Sequence, residues 1–76
     1  MTAYVLIQAE VGRASAIARQ TLGIAGVISA DAINGPFDVI IRIEAESMDD
    51  LGRVIVGQIQ AIPGITRTVT CPIVHL

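Results

Sequence analysis

The sequence has little of the chemistry on which most enzymes depend. It contains one cysteine, one histidine and no tryptophan, and its five basic residues are all arginines spread along the chain. The single cysteine, Cys71, excludes an intramolecular disulfide and a cysteine-rich metal site, and it fits a reducing, cytoplasmic compartment. No basic patch matches the phosphate backbone of a nucleic acid, so direct nucleic-acid binding is not expected.

Long apolar runs are also missing. The run Val39–Ile41, for example, stops at Arg42, far short of the roughly 18 residues of a membrane-spanning helix. The N-terminus lacks the basic region and apolar stretch of a signal peptide. Yet 53% of the 76 residues are hydrophobic and the mean hydropathy is +0.68. Because a domain this small buries only about 60% of its unfolded surface, the apolar surplus predicts self-association.

Hydrophobic periodicity predicts one domain, residues 1–76, with the order β-α-β-β-α-β. The predicted strands are Tyr4–Glu10, Val27–Ile33, Phe37–Ala45 and Ile65–Val74. The predicted helices run from Arg13 to Leu22 and from Ser47, as N-cap, to Ile62. A faint repeat relates Ile24–Val27 to Ile62–Ile65, since each leads from a helix through a glycine into a strand. The pattern predicts a ferredoxin-like α+β fold, with two helices on one face of a four-stranded antiparallel sheet.

The face of the sheet opposite the helices is predicted to be apolar as well. Along the third strand Val39 and Ile41 share one side, and Ile40 lies on the other. In the first strand Tyr4 and Leu6 lie together on the second side. Because exposed apolar patches mark interfaces, we expect two sheets to stack face to face in a homodimer.

The turn Asn34–Asp38 gathers more recognition groups than any other part of the chain. Gly35 offers backbone freedom and an unhindered N–H, and Pro36 stiffens the loop. Phe37 has the strand parity of a core residue, whereas Asp38 faces the other way. An acid at a strand start needs a cation or an N–H partner. Two interpretations of Asp38 stay open, a turn cap and a ligand contact.

The last strand carries a second group, the alternating Thr66, Thr68 and Thr70. These residues fit plain β-propensity on an exposed face, or hydroxyls that bind a small polar ligand. Both interpretations stay open. In the predicted fold this strand is an edge strand, where hydroxyls can meet a neighbouring subunit.

No catalytic, metal or cofactor site is predicted. Cys71 and His75 lie roughly 13 Å apart along a strand, too far for a hydrogen-bonded pair. Cys71 is interpreted as a small core residue and His75 as a solvated end residue. Glu10 and Glu44, with Glu46, are interpreted as solvated charges at strand ends.

Several segments together resemble the effector-binding domain of Lrp/AsnC transcription regulators, also called the RAM domain. They are Gly35–Val39, the helix beginning at Ser47, Ile62–Ile65 and Thr66–Thr68. The resemblance covers essentially the whole chain. It implies homodimers that pair through stacked sheets, assembly into octamers of four dimers, and an amino acid bound where dimers meet. The ligand-binding residues that it implies are Asn34, Gly35, Pro36, Asp38, Thr66, Thr68 and Thr70.

The full regulators carry an N-terminal helix-turn-helix, and this chain begins at its first strand. It therefore resembles a stand-alone domain, which senses amino acids alone or co-assembles with full-length regulators. Two other functions stay open. One is a small dimeric ferredoxin-like enzyme without a cofactor, which the scarcity of His, Tyr and Trp disfavours. The other is an oligomerisation scaffold without a ligand.

Overall fold

The computed structural model describes residues 1–75 and has the element order that the sequence predicts. The strands are β1 Thr2–Ala9, β2 Val27–Ala32, β3 Val39–Glu44 and β4 Ile65–Pro72. The helices are α1 Ala14–Leu22 and α2 Met48–Val54, and a π turn, Ile55–Ile59, continues α2. Within the described residues, no helix combines the length and the apolar character needed to cross a membrane.

The four strands form one antiparallel sheet in the order β2-β3-β1-β4. β1 is central, so Val5 lies opposite both Ile41 of β3 and Thr70 of β4. β2 and β4 are the edge strands, and each contains a bulge. Ile28 is the extra residue in β2, and Thr66 is the extra residue in β4. The ferredoxin-like α+β fold is confirmed.

The core lies between one face of the sheet and the helices. Side chains alternate between the two faces of a strand, and alternate residues from Ala3 to Ile7 in β1 and from Val39 to Ile43 in β3 are fully buried. The buried strand residues are Ala3, Val5, Ile7, Val39, Ile41 and Ile43. The helical segments add Ile17, Ala18, Leu51, Ile55 and Ile59. Each large aliphatic side chain contributes roughly 1.5–3 kcal/mol through its burial.

The two helices begin in different ways. Ser47 caps α2 as predicted, because its hydroxyl accepts a hydrogen bond of 3.1 Å from the N–H of Asp50. Such a cap stabilises a helix by about 1 kcal/mol. α1 begins after Arg13 with no side-chain cap. Its stability therefore depends on packing, and its buried Thr21 hydroxyl donates to the carbonyl of Ala18 at 2.9 Å.

The end of the second helix differs from the prediction. A π turn replaces regular α-helix from Ile55, and the N–H of Gln60 donates to the carbonyl of Ile55 at 2.8 Å. Residues of a π turn advance less around the axis than residues of an α-helix. Ile59 therefore returns to the side of Leu51 and Ile55, and all three side chains are buried.

The start of β3 is also later than predicted. The sequence places Phe37 in the strand and in the core, but β3 begins at Val39 and residues 34–38 form a bend. Phe37 is half-buried and is not among the apolar residues, within 1–75, that pack against the core. The prediction that Phe37 is a core residue is wrong, because strand parity applies only where the chain is extended.

The face opposite the helices carries the apolar groups that the sequence predicts. Leu6 of β1 lies between Ile40 of β3 and Val69 of β4. All three are half-buried and lie outside the core cluster found in residues 1–75. Beside this row Tyr4 is 37% exposed, and the guanidinium carbon of Arg42 lies 5.8 Å from its ring centroid. We name this surface the open face.

The internal repeat appears as two glycine turns. Gly26 precedes β2 with φ of +95°, and Gly64 precedes β4 with φ of +97°. Both values lie in the region that favours glycine. A Cβ on Gly26 would lie 2.6 Å from the carbonyl oxygen of Glu44, so this turn also needs close backbone contact.

The Gly26→Ala variant is expected to lower the free energy of unfolding by about 3 kcal/mol, through positive-φ strain and the clash with Glu44. Gly12 is the matched control, because its φ is +83° and a Cβ there would meet nothing within 4 Å. Gly12→Ala should cost only about 1 kcal/mol. Urea denaturation measures both values, and equal losses would contradict the role of the backbone contact.

Candidate functional site

The turn between β2 and β3 projects from one end of the sheet. The N–H of Ile33 donates to the carbonyl of Asp38 at 2.9 Å, and this bond closes the hairpin. The side-chain amide of Gln8 donates to the carbonyl of Pro36 at 3.1 Å and ties the turn to β1. Asn34, Gly35 and Pro36 are exposed. The turn is therefore anchored at its base and accessible at its tip.

Gly35 differs in one respect from the prediction. Its φ is outside the left-handed region, and a Cβ there would meet nothing within 4 Å. The turn conformation therefore does not require glycine. Within residues 1–75 the N–H groups of Gly35 and Phe37 make no hydrogen bond, which leaves two donors at the tip.

Asp38 joins the turn to the end of β1. Its N–H donates to the carbonyl of Ile7 at 2.8 Å, and its Oδ2 accepts a hydrogen bond of 2.7 Å from the N–H of Ala9. The carboxylate thus takes the place of a strand carbonyl just before the start of β3. This contact is the N–H partner expected for an acid at this position. Oδ1 has no hydrogen-bond partner among the described residues.

The three threonines of β4 differ in their positions in the sheet. Thr68 pairs with Ile7 and Thr70 pairs with Val5, so both share the helix side of the sheet. The side-chain amide of Gln60 donates to the hydroxyl of Thr68 at 2.9 Å. Thr66 is the bulged residue. A cleft of about 310 Å³ is lined by Gln60, Ile65, Thr66, Arg67 and Thr68.

One chain does not bring the two groups of predicted ligand residues together. The Asp38 carboxylate reaches the N–H of Ala9 at the end of β1, whereas Thr68 and Thr70 lie on the helix side of β4. β1 also lies between β3 and β4, which adds about 10 Å across the sheet. Along the sheet, Thr66 and Thr68 lie nearer to the end that Asp38 occupies than Thr70 does, because Thr68 is opposite Ile7 and Thr70 is opposite Val5.

Three residues make contacts in this region that the sequence does not predict. Gln8 and Ala9 hold the hairpin, and Gln60 holds Thr68. Their contacts depend on the register of β1 and on the end of the π turn. Neither feature follows from local residue patterns.

The other candidate groups are dispersed. Glu44 lies opposite Thr2 at the start of β1, and Glu10 follows the end of β1, so they occupy opposite ends of the sheet. The Thr2 hydroxyl donates to Glu44 Oε2 at 2.6 Å, and this bond is the main cause that lowers the pKa of Glu44. No group of three or more His, Cys, Asp or Glu in residues 1–75 could hold a metal ion.

Cys71 is not a core residue, so that prediction is wrong. It lies opposite Tyr4 in the sheet, and directly paired residues share one face. Cys71 is therefore on the open face, and it is exposed in the single chain.

Similarity to known proteins extends over the whole domain. Residues 2–75 match the family model described as the Lrp/AsnC ligand binding domain. An uncharacterized HTH-type transcriptional regulator of Pyrococcus abyssi is 30% identical over 54 residues. That match covers 71% of this chain and 36% of the regulator, so the chain matches only about a third of this relative.

Solved structures share the fold. The protein TTHA0845 of Thermus thermophilus superposes with a TM-score of 0.92 at 24% identity, over 99% of this chain and 94% of that one. A transcriptional regulator of Neisseria meningitidis, solved as a complex with L-methionine, gives a TM-score of 0.86 at 13% identity. It matches 97% of this chain and 49% of its own. With its fold, strand order and family match in agreement, the chain belongs to the Lrp/AsnC ligand-binding domain family.

Proposed function

We propose that this domain binds a free amino acid and that a second copy of the chain completes the site. The observation that carries the proposal is the hairpin tip. Asp38 Oδ1 can accept from an ammonium group, and the N–H groups of Gly35 and Phe37 can donate to a carboxylate. One turn thus offers partners to both ends of an α-amino acid.

The separation of the two residue groups supports a site between copies. The hairpin group comprises Asn34, Gly35, Pro36 and Asp38, and the threonine group comprises Thr66, Thr68 and Thr70. β1 separates them on one chain. An amino acid is too small to contact both, but the hairpin of one copy and the β4 edge of another can enclose it.

The family supports an amino acid as the ligand class and regulation as the role. The Neisseria meningitidis regulator binds L-methionine in its structure, and the Pyrococcus abyssi relative is described as a transcriptional regulator. We infer that this domain acts in the cytoplasm as a ligand-sensing, non-enzymatic module. Its output reaches DNA through co-assembly with a regulator that carries a DNA-binding domain.

The open face supports dimers as the first step of assembly. The row of Ile40, Leu6 and Val69 crosses three strands, and the helices cover only the other face. Stacking two such faces removes these side chains from water, at roughly 25 cal/mol for each Å² of apolar surface. Dimers then present their hairpins and β4 edges to one another, and four dimers can close into an octamer.

The first experiment titrates the twenty amino acids by calorimetry and follows assembly by sedimentation velocity. At least one amino acid should bind, and a saturating concentration should shift the protein to larger particles. The shift is expected because a ligand that bridges copies stabilises the assembled form by mass action. A folded oligomer that binds none of the twenty would contradict the proposal.

Two substitutions separate the structural role of Asp38 from its binding role. Asp38→Asn keeps an oxygen that can accept from the N–H of Ala9, but it removes the negative charge. It should weaken binding at least about tenfold while the free energy of unfolding changes by less than about 1 kcal/mol. Asp38→Ala removes both interactions and should also destabilise the fold by about 1–3 kcal/mol.

The pair of variants is measured by calorimetry and urea denaturation on the same preparations. If Asp38→Asn binds as tightly as the wild type, Asp38 is only a cap for β1 and another group holds the ammonium.

The open face is tested with Leu6→Glu, which places a carboxylate at the centre of the stacked sheets. Because a buried, unpaired charge is costly, this variant should sediment as a monomer at micromolar concentration. Val11→Glu is the matched control, since Val11 is fully exposed in the turn after β1 and the charge change is identical. A dimer that persists in Leu6→Glu would rule out sheet stacking.

A further inference from the structure

A second uncovered surface lies on the outer side of the second helix. Its inner side packs Leu51, Ile55 and Ile59 into the core. Its outer side contains an open hollow of about 650 Å³, which we name the α2 hollow. The residues that line it are Met48, Asp49, Gly52, Arg53, Val56 and Gly57.

These six residues form two adjacent rows with helical spacing. Met48, Gly52 and Val56 follow one another at intervals of four, and Asp49, Arg53 and Gly57 do the same. Residues four apart lie on one side of a helix. Met48 is 55% exposed and Val56 is 66% exposed, so the first row is apolar and open to water.

Nothing in the single chain requires glycine at positions 52 and 57. A Cβ on Gly52 or on Gly57 would meet nothing within 4 Å, and neither residue has a positive φ. Glycine is less stable than alanine in the interior of a helix. A helix with two such residues on its outer side allows another backbone to approach closely, between the flanking side chains of Met48 and Val56.

The second row carries one acidic and one basic residue, so its charges are complementary to those of the same row in another copy. Asp49 and Arg53 lie one turn apart on the same side of the helix. Arg53 pairs with Asp50 of its own helix. The guanidinium has five N–H donors, so this pairing leaves donors for a second carboxylate.

We propose that the α2 hollow receives the same helix of a second copy, antiparallel to the first about a two-fold axis near Gly52. Such an interface uses the same patch twice. Each Gly52 then faces its equivalent, and each Met48 lies beside Val56 of the other copy. Each Asp49 comes within one turn of the other copy's Arg53, so both charges are matched.

The small area of one α2 contact limits its strength. One helix pair buries less than the roughly 800 Å² per partner of a standard protein–protein interface. The contact alone is weak, so it acts between dimers that the open face has already formed, and in this respect the inference rests on the proposed dimer. The α2 contact would thus join dimers without an amino acid, independently of the hairpin site.

Charge reversal tests the charge pairing. Sedimentation velocity over a concentration series should show particles larger than a dimer for the wild type, with weaker association at high salt. Asp49→Arg or Arg53→Asp alone places like charges opposite each other and should weaken this step at least about tenfold. The double variant should restore it to within about threefold. Asp50→Asn, which removes only the pair within one helix, should associate like the wild type.

The proposal is overturned if the wild type never exceeds a dimer, or if the double variant associates as weakly as the single ones.

Substitution of glycine tests the close approach. Gly52→Ala should raise the Tm of the dimer by about 3–6 °C, because alanine favours the helix. The same Cβ should weaken association between dimers at least about tenfold. Gln58→Ala, an exposed position of the π turn outside the hollow, should leave association unchanged. Unchanged association in Gly52→Ala would overturn the two-fold helix pairing.

Discussion

The pairing of β1 with two strands is the constraint on which the rest of this structure depends. One side of β1 buries Val5 and Ile7 beneath the helices, and the other side places Leu6 at the centre of the open face. The same strand ends at Gln8 and Ala9, which hold the hairpin. The core, the open face and the candidate ligand site are therefore set by a single register, and a slip of one residue would exchange the two faces.

The sequence predicts most of the fold because local patterns and the fold agree. Alternation identifies the buried side of β3, and Ser47 marks the start of α2 before its acidic first turn. The π turn at Ile55 is different. It turns the Ile59 side chain toward the core. The direction of the core is defined only once the helix packs on the sheet, so local sequence does not predict this turn. The position of Phe37 likewise depends on where extended chain begins, which Asp38 decides through its contact with β1.

For the candidate site, residue patterns show which side chains share one side of a strand, but not where each strand side lies in the sheet. Alternation shows that Thr68 and Thr70 share a side, yet only their pairing with Ile7 and Val5 shows that it is the helix side. The same register puts Cys71 beside Tyr4 on the open face. The cap formed by Asp38 is one of the two interpretations open at the sequence level. A ligand contact through its second oxygen remains compatible with that cap.

Both edges of the sheet are interrupted, by Ile28 in β2 and by Thr66 in β4. An unbroken edge strand is a template on which another chain can add a strand, and a bulge twists that template out of line. In a chain that is 53% hydrophobic, the two bulges disfavour growth of aggregates by strand addition. A two-fold contact through a face or a helix uses up its patch in one pairing, whereas strand addition leaves a new free edge after every step and can extend one sheet into a fibre.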